Sequence, residues 1–177
     1  MRINRLFLPA WVGVLLGFIQ TGLFLQLAFT LSSSITTYLM ITLCWLVGSV
    51  FGVLVLAQRG GSLARYLLIA MLAYGACGVM LVLQPFETRL LPLYGVAIIL
   101  IGVYPGVFFQ RMTPLSSART VFFLENNGFI VGIIVSTIAF MFFGQVVLWI
   151  VPVVISLYLA FMTKTDARSL PAHRPSL

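Results

Sequence analysis

The chain has 177 residues, of which 62% are hydrophobic and 7% are charged, and its mean hydropathy is +1.16. The chain has too few polar groups to cover the surface of a soluble globule of this length. The composition therefore excludes a soluble domain and indicates a lipid solvent. The formal charge of +7 is spread between apolar segments rather than over one polar face; we interpret it as a topological signal and expect no nucleic-acid partner.

Six apolar segments are long enough to cross a bilayer, whose hydrocarbon core of about 30 Å takes roughly 20 helical residues. They lie at residues 8–30, 36–57, 66–84, 91–109, 121–143 and 145–162. The last two are separated only by Gly144 and Gln145, so we expect them to fold back as a helical hairpin. The sequence predicts an all-α integral membrane bundle of six transmembrane helices within residues 1–163, followed by a disordered cytoplasmic tail at 164–177.

The basic residues indicate how the bundle is oriented. If six helices alternate in direction, one end holds Arg2, Arg5, Arg59, Arg65, Arg111, Arg119, Lys164, Arg168 and Arg174. The other end holds Arg89 alone. Because lysine and arginine accumulate in cytoplasmic loops, both termini are predicted to be cytoplasmic. We expect a multi-pass protein of a bacterial-type cytoplasmic (inner) membrane, with the lipid bilayer as its surroundings.

The residues that usually carry enzymatic chemistry are scarce within the apolar segments. The one histidine, His173, lies in the tail, which argues against haem ligation, a histidine-rich metal site and a hydrolase triad among the helices. Cys44 and Cys77 lack the paired spacing of metal or redox sites and are interpreted as apolar fillers. No phosphate-binding glycine loop or dinucleotide fingerprint is present. We therefore expect no catalytic residue, no metal and no cofactor in this chain.

Three consecutive polar residues, Glu125, Asn126 and Asn127, open the otherwise apolar fifth segment. One interpretation is that Glu125 is an interfacial carboxylate favoured by the helix dipole and paired with Arg119 or Arg111. The other is that all three residues line an inward-facing cavity, because charged groups within a membrane usually face the bundle interior. Both interpretations stay open at this point, and all three residues are candidates for a substrate path.

Two glutamines lie in the first segment. Gln20 and Gln26 are six residues apart, which places them on different sides of a helix, so they are not expected to face one narrow pocket. Gln20 lies near the middle of the membrane, where an amide needs an interhelical partner. It is either a tie between two helices or a further substrate-path candidate.

Glycines predict where helices pack closely. Two glycines four residues apart form a ridge of small residues along one face of a helix. Three such pairs are present: Gly13 with Gly17, Gly48 with Gly52, and Gly128 with Gly132. Whether these ridges contact helices of the same chain or of a second chain is left open by the sequence.

Five short motifs together resemble the membrane domain attached to spermidine-synthase-like proteins. They are Gly17-Phe18-Ile19-Gln20, Ser32-Ser33-Ser34, Gly48-Ser49-Val50-Phe51-Gly52, Tyr104-Pro105-Gly106 and Asn127-Gly128-Phe129-Ile130-Val131-Gly132. That domain is in turn similar to one six-helix half of a major facilitator transporter. The resemblance covers nearly the whole chain and implies a transporter-like bundle.

Two features of those families are missing from the sequence. The glycine-rich acidic nucleotide-binding region of the synthase is absent, so the resemblance implies no aminopropyl transfer. The loop Gln58-Arg59-Gly60-Gly61 keeps an arginine and the glycines of the basic facilitator loop but has no aspartate.

Two functional hypotheses follow. The chain is either a half-transporter-like permease, which pairs with a second copy or a partner chain around Gln20, Glu125, Asn126 and Asn127, or a non-catalytic membrane subunit that anchors a larger complex. The scarcity of polar groups favours an anchor, and the resemblance favours a permease.

Overall fold

A computed structural model describes residues 3–31, 34–59 and 61–168, with side chains described for 7–31, 34–59 and 61–162. The chain forms six long helices: α1 (Ile3–Thr30), α2 (Ile35–Phe51), α3 (Leu63–Leu83), α4 (Leu91–Met112), α5 (Ala118–Phe143) and α6 (Gln145–Arg168). A π-helical turn, Gly52–Leu56, continues α2, and a 3-10 turn, Thr88–Leu90, precedes α4. Each helix contains a span long and apolar enough to cross a membrane, which confirms the predicted all-α bundle of six.

Short polar signals set the ends of these helices. The hydroxyls of Ser34, Ser62 and Ser117 accept hydrogen bonds from main-chain N–H groups in the first turns of α2, α3 and α5. Gly144, with φ of +67°, makes the turn of the predicted hairpin between α5 and α6, a conformation that other residues rarely adopt. Helix α6 continues past the predicted boundary at 163 as far as Arg168, and the remainder of the predicted tail lies outside the described residues.

Hydrogen bonds between connections show which helix ends share a side of the bundle. The N–H of Phe86, in the α3–α4 connection, donates to the carbonyl of Thr30 at the end of α1. At the opposite side, the guanidinium of Arg111 donates to the carbonyls of Arg59 and Gly61 in the α2–α3 connection. This is the arrangement of six helices that alternate in direction. Of the basic residues with described side chains, Arg59, Arg65, Arg111 and Arg119 therefore share one end, called here the basic end, whereas Arg89 lies at the other.

Two glycine-lined seams hold the bundle together. Helix α1 packs chiefly against α5, and α4 packs chiefly against α2. A methyl group at Gly17 would overlap the main chain of α5, and one at Gly106 would overlap the main chain of α2. The predicted glycine pairs thus contact other helices of the same chain, and Gly102 and Gly106 of α4 complete the set.

The α1–α5 seam and the α2–α4 seam repeat each other at the same register. Each glycine of the α1–α5 seam contacts the main chain of one residue, and a glycine of the α2–α4 seam makes the equivalent contact. The contact of Gly13 with Glu125 corresponds to that of Gly102 with Trp45, and the contact of Gly17 with Phe129 to that of Gly106 with Ser49. In the same way, the contact of Gly128 with Ala10 corresponds to that of Gly48 with Ile99, and the contact of Gly132 with Val14 to that of Gly52 with Val103. Because α1 and α4 run in opposite directions, the two seams are inverted copies of one packing arrangement. The pair of α1 and α5 is therefore related to the pair of α4 and α2 by an approximate two-fold axis that runs across the helices, as in inverted repeats.

Candidate functional site

A cavity of about 450 Å³ lies between the two seams, on the side of the bundle where α1, α2, α4 and α5 meet. This volume falls within the range of about 300–1,000 Å³ that is usual for small-molecule sites. Its lining residues are Leu16, Gln20, Trp45, Leu46, Ser49, Val53, Pro105, Gly106, Phe109, Phe122, Glu125, Asn126 and Phe129. Leu46, Phe122 and Asn126 at its rim are exposed, so the cavity opens at the surface of the bundle between α2 and α5.

The structure brings three of the four predicted path residues to this cavity. Gln20 reaches it from α1, and Glu125 and Asn126 reach it from α5. Asn127 does not line the cavity. It is exposed, and its amide nitrogen donates a 2.6 Å hydrogen bond to the carbonyl of Phe123 in its own helix. Each helical residue is rotated by about 100° from the one before it, so three consecutive residues do not share one narrow face.

The Glu125 carboxylate has no partner among the described residues. It is half-buried, and no described side chain or main-chain group forms an ion pair or hydrogen bond with it. The expected alternative, a pair with Arg111 or Arg119, is not found. Arg111 instead binds two carbonyls and lies over the ring of Tyr66, with its guanidinium carbon 5.3 Å from the ring centroid. The carboxylate is thus available to a group that enters the cavity.

The internal repeat gives the cavity two chemically different walls. The wall from α1 and α5 carries the carboxylate and both amides beside three apolar side chains, whereas the wall from α2 and α4 is apolar except for Ser49. Counterparts across the cavity, in the register of the two seams, are Glu125 with Trp45, Asn126 with Leu46, Gln20 with Phe109, and Leu16 with Pro105. The backbone is repeated, whereas the carboxylate and the two amides are confined to the wall from α1 and α5. The cavity therefore combines a single carboxylate and two amides with a facing aromatic surface.

Ser49 is the polar exception on the apolar wall. Its hydroxyl lies 3.0 Å from the carbonyl oxygen of Trp45 in its own helix and 3.1 Å from that of Gly102 across the α2–α4 seam, and its one hydrogen is shared between these two acceptors. The hydroxyl is therefore engaged in helix packing. No three His, Cys, Asp or Glu side chains come together in the described part of the chain. The polar side chains of the cavity that could bind a ligand are consequently those of Gln20, Glu125 and Asn126.

Gln26, the second glutamine of α1, belongs to a different polar cluster in the core. Its amide nitrogen donates to the hydroxyl of Tyr74 at 3.2 Å, and that hydroxyl donates to the carbonyl of Leu148 at 2.8 Å. The cluster joins α1, α3 and α6. Gln20 was expected to need an interhelical partner, but it is Gln26 that ties helices together, and Gln20 forms no hydrogen bond with the described residues.

Sequence reasoning missed the aromatic part of the site. Trp45, Phe109, Phe122 and Phe129 all line the cavity, but aromatic residues are frequent throughout the apolar segments. Trp45 and Phe129 differ from the other aromatic residues because they lie close in sequence to a glycine pair. The main-chain carbonyl of each contacts a glycine of the facing helix. This position is the signal by which the sequence could have identified them as site residues.

Comparisons with protein-family models, with curated proteins and with solved structures find no match for this chain.

Proposed function

We propose that this integral membrane protein is a permease subunit of the half-transporter type, whose solute path is completed by a second copy of the chain or by a partner chain. The observation that carries the proposal is the position of the cavity. It holds a carboxylate that no described residue pairs with, and it opens at the surface of the bundle between α2 and α5.

The cost of exposing Glu125 supports a partner at this surface. A charged side chain that faces hydrocarbon costs about 3 kcal/mol or more, so such residues usually face protein or water. If a single bundle stood alone in the bilayer, acyl chains would reach the mouth of the cavity. A second subunit packed on the α2–α5 face would replace lipid there and would enclose the cavity between the two chains.

The side chains around the mouth fit this arrangement. Leu46 on α2 and Phe122 on α5 are 54% and 59% exposed, and both lie at the rim. Packing these apolar side chains against another subunit would leave the polar wall facing an enclosed space. In a symmetric pair, the same face of each copy would contact the other.

The alternative function is a non-catalytic anchor or scaffold subunit. The many exposed apolar side chains of the bundle suit an anchor as well as a permease, because either protein contacts lipid or other subunits. The two functions differ in one respect: a permease needs water to reach the cavity, whereas an anchor does not.

Cysteine chemistry tests the proposal without knowledge of the solute. In a background of Cys44→Ala and Cys77→Ala, Asn126→Cys is expected to react in membrane vesicles with a charged, water-soluble methanethiosulfonate reagent. Leu72→Cys, on the exposed face of α3, is the matched control and is expected to be unreactive. An unreactive Asn126→Cys would favour the anchor.

Cross-linking tests the partner. Phe122→Cys or Leu46→Cys, treated with a short bifunctional thiol reagent, is expected to give a covalent dimer or an adduct with a co-purifying chain. The Leu72→Cys control is expected to give neither. Absence of any adduct from both rim positions would contradict pairing through the α2–α5 face.

A further inference from the structure

We infer that the cavity binds an organic cation with an apolar or aromatic body. This inference rests on the proposed function, because it names the class of solute that would occupy the same cavity. It follows from the charge, the aromatic rings and the division of the cavity into two walls.

The charge of the lining determines the sign of the ligand. Glu125 is the one ionisable side chain among the thirteen lining residues, and no lysine, arginine or histidine lines the cavity. The nearest basic residue along α5, Arg119, is exposed and forms no ion pair with Glu125, and Arg111 is engaged at the α2–α3 connection. A carboxylate with no counter-ion among the described residues attracts a positive charge and opposes a negative one.

The aromatic residues favour an organic cation over an inorganic one. Trp45, Phe109, Phe122 and Phe129 surround the same space as Glu125. The face of an aromatic ring attracts an ammonium or a similar cation within about 6 Å of its centroid, and tryptophan does so most strongly. An inorganic cation would instead require about six oxygen ligands, and the lining supplies one carboxylate and the amide oxygens of Gln20 and Asn126.

The two walls favour a cation that is also apolar. Opposite the carboxylate lie Trp45, Leu46, Pro105 and Phe109, which would contact the body of a ligand whose charged group faces Glu125. Gln20 and Asn126 flank the carboxylate side and offer amide oxygens to any N–H groups that the cation carries. A polyamine fits less well, because its several separated charges would meet one carboxylate per subunit and an apolar wall.

Tetraphenylphosphonium and tetraphenylborate test the inference, because the two ions have the same shape and opposite charges. We would measure the binding of each to the purified full-length protein by equilibrium dialysis in a non-ionic detergent, with protein-free micelles as the blank. Saturable binding of tetraphenylphosphonium is expected, together with at least tenfold weaker binding of tetraphenylborate. Spermidine is expected to compete poorly with tetraphenylphosphonium.

Two variants assign the binding to this cavity. Glu125→Gln is expected to weaken tetraphenylphosphonium binding by at least tenfold, and Trp45→Leu by severalfold. Glu87→Gln, which changes the carboxylate in the α3–α4 connection, is the matched control and is expected to bind as the wild type does. Each variant would be compared with the wild type at equal fractions of monodisperse protein in size-exclusion chromatography.

The inference is overturned if the wild type binds the anion as tightly as the cation, if it shows no saturable cation binding, or if Glu125→Gln and Trp45→Leu both bind tetraphenylphosphonium unchanged. The comparison of the two ions uses unmodified protein, so it remains decisive even if both variants fail to fold. Reactive Asn126→Cys and rim cross-links without cation binding would overturn the ligand class and retain the permease subunit. Cation binding without cross-links or reactivity would overturn the permease subunit and retain the ligand class.

Discussion

The hydroxyl of Tyr74 donates a 2.8 Å hydrogen bond to the main-chain carbonyl of Leu148. In a regular helix that carbonyl would accept from the residue four positions later, which here is Pro152 and has no N–H. Tyr74 in α3 therefore supplies the donor that α6 lacks, in a buried part of the bundle. The same hydroxyl accepts from Gln26, so one side chain connects three helices.

Removal of this hydroxyl is expected to destabilise the bundle. Tyr74→Phe leaves the carbonyl of Leu148 and the amide of Gln26 without this partner, which we expect to lower the free energy of unfolding by about 1–3 kcal/mol. Tyr94→Phe is a matched control, because the Tyr94 hydroxyl is buried without a hydrogen-bond partner among the described residues. Its loss is expected to be neutral or stabilising. Unfolding in mixed micelles of increasing sodium dodecyl sulfate measures both, and equal losses would contradict the assignment.

The α1–α5 seam is expected to be intolerant of a single methyl group. Gly17→Ala would place its β-carbon against the main chain of Phe129 and Gly132, and backbone atoms have little freedom to move away. We expect a loss of more than about 2 kcal/mol, or no monodisperse protein, as for other overpacked cores. Gly75→Ala in α3 is the matched control, since nothing lies within 4 Å of its added β-carbon. It is expected to be neutral or to stabilise by up to about 1 kcal/mol.

Glu125 is expected to make no stabilising ion pair. Because no described residue pairs with its carboxylate, Glu125→Gln should leave the free energy of unfolding unchanged or raise it. A double-mutant cycle with Arg119→Gln is expected to be additive within about 0.5 kcal/mol. A larger favourable coupling between the two residues would support the pairing interpretation and would remove the free carboxylate on which cation binding depends.

The orientation of the bundle remains a prediction from its basic residues. Reporter fusions after Gln58, Thr113 and Leu177 are expected to report the cytoplasm, and fusions near Ser33 and Phe86 the opposite side. These positions fall in two groups because consecutive connections alternate between the ends of the bundle. A C-terminal fusion on the same side as the Phe86 fusion would contradict the alternation of six helices.

The number and limits of the helices could be predicted because they depend on local properties. Apolar length defines a span, and serines and Gly144 define its ends, so the sequence placed each segment within a few residues of its helix. The glycine ridges were predicted to make close contacts, but their partners were not, because a ridge does not specify which helix it faces. The pairing of α1 with α5 and of α2 with α4 needs the three-dimensional arrangement.

The site was predictable only in its polar half. Glu125 and Gln20 stand out in an apolar chain, whereas Trp45 and Phe109 resemble many other aromatic residues in it. Asn127 was grouped with its neighbours by sequence, but the rotation of the helix turns it away from them. Gln26 ties helices together only because it meets Tyr74, whose hydroxyl binds the carbonyl of Leu148 that Pro152 leaves without a donor. Tyr74 and Pro152 lie far from Gln26 in the chain, so its sequence neighbours gave no sign of this role.

The arrangement of the two seams also determines when each pair of helices is able to form during synthesis. Helices α2 and α4 are both in the membrane before α5 is synthesised, so their seam is able to close while translation continues. Helix α1 enters first, yet its main partner is the fifth helix to arrive. Throughout that interval its glycine ridge faces lipid or the insertion machinery instead of α5. A ribosome stalled after α4 would therefore leave α1 in the membrane without its main partner.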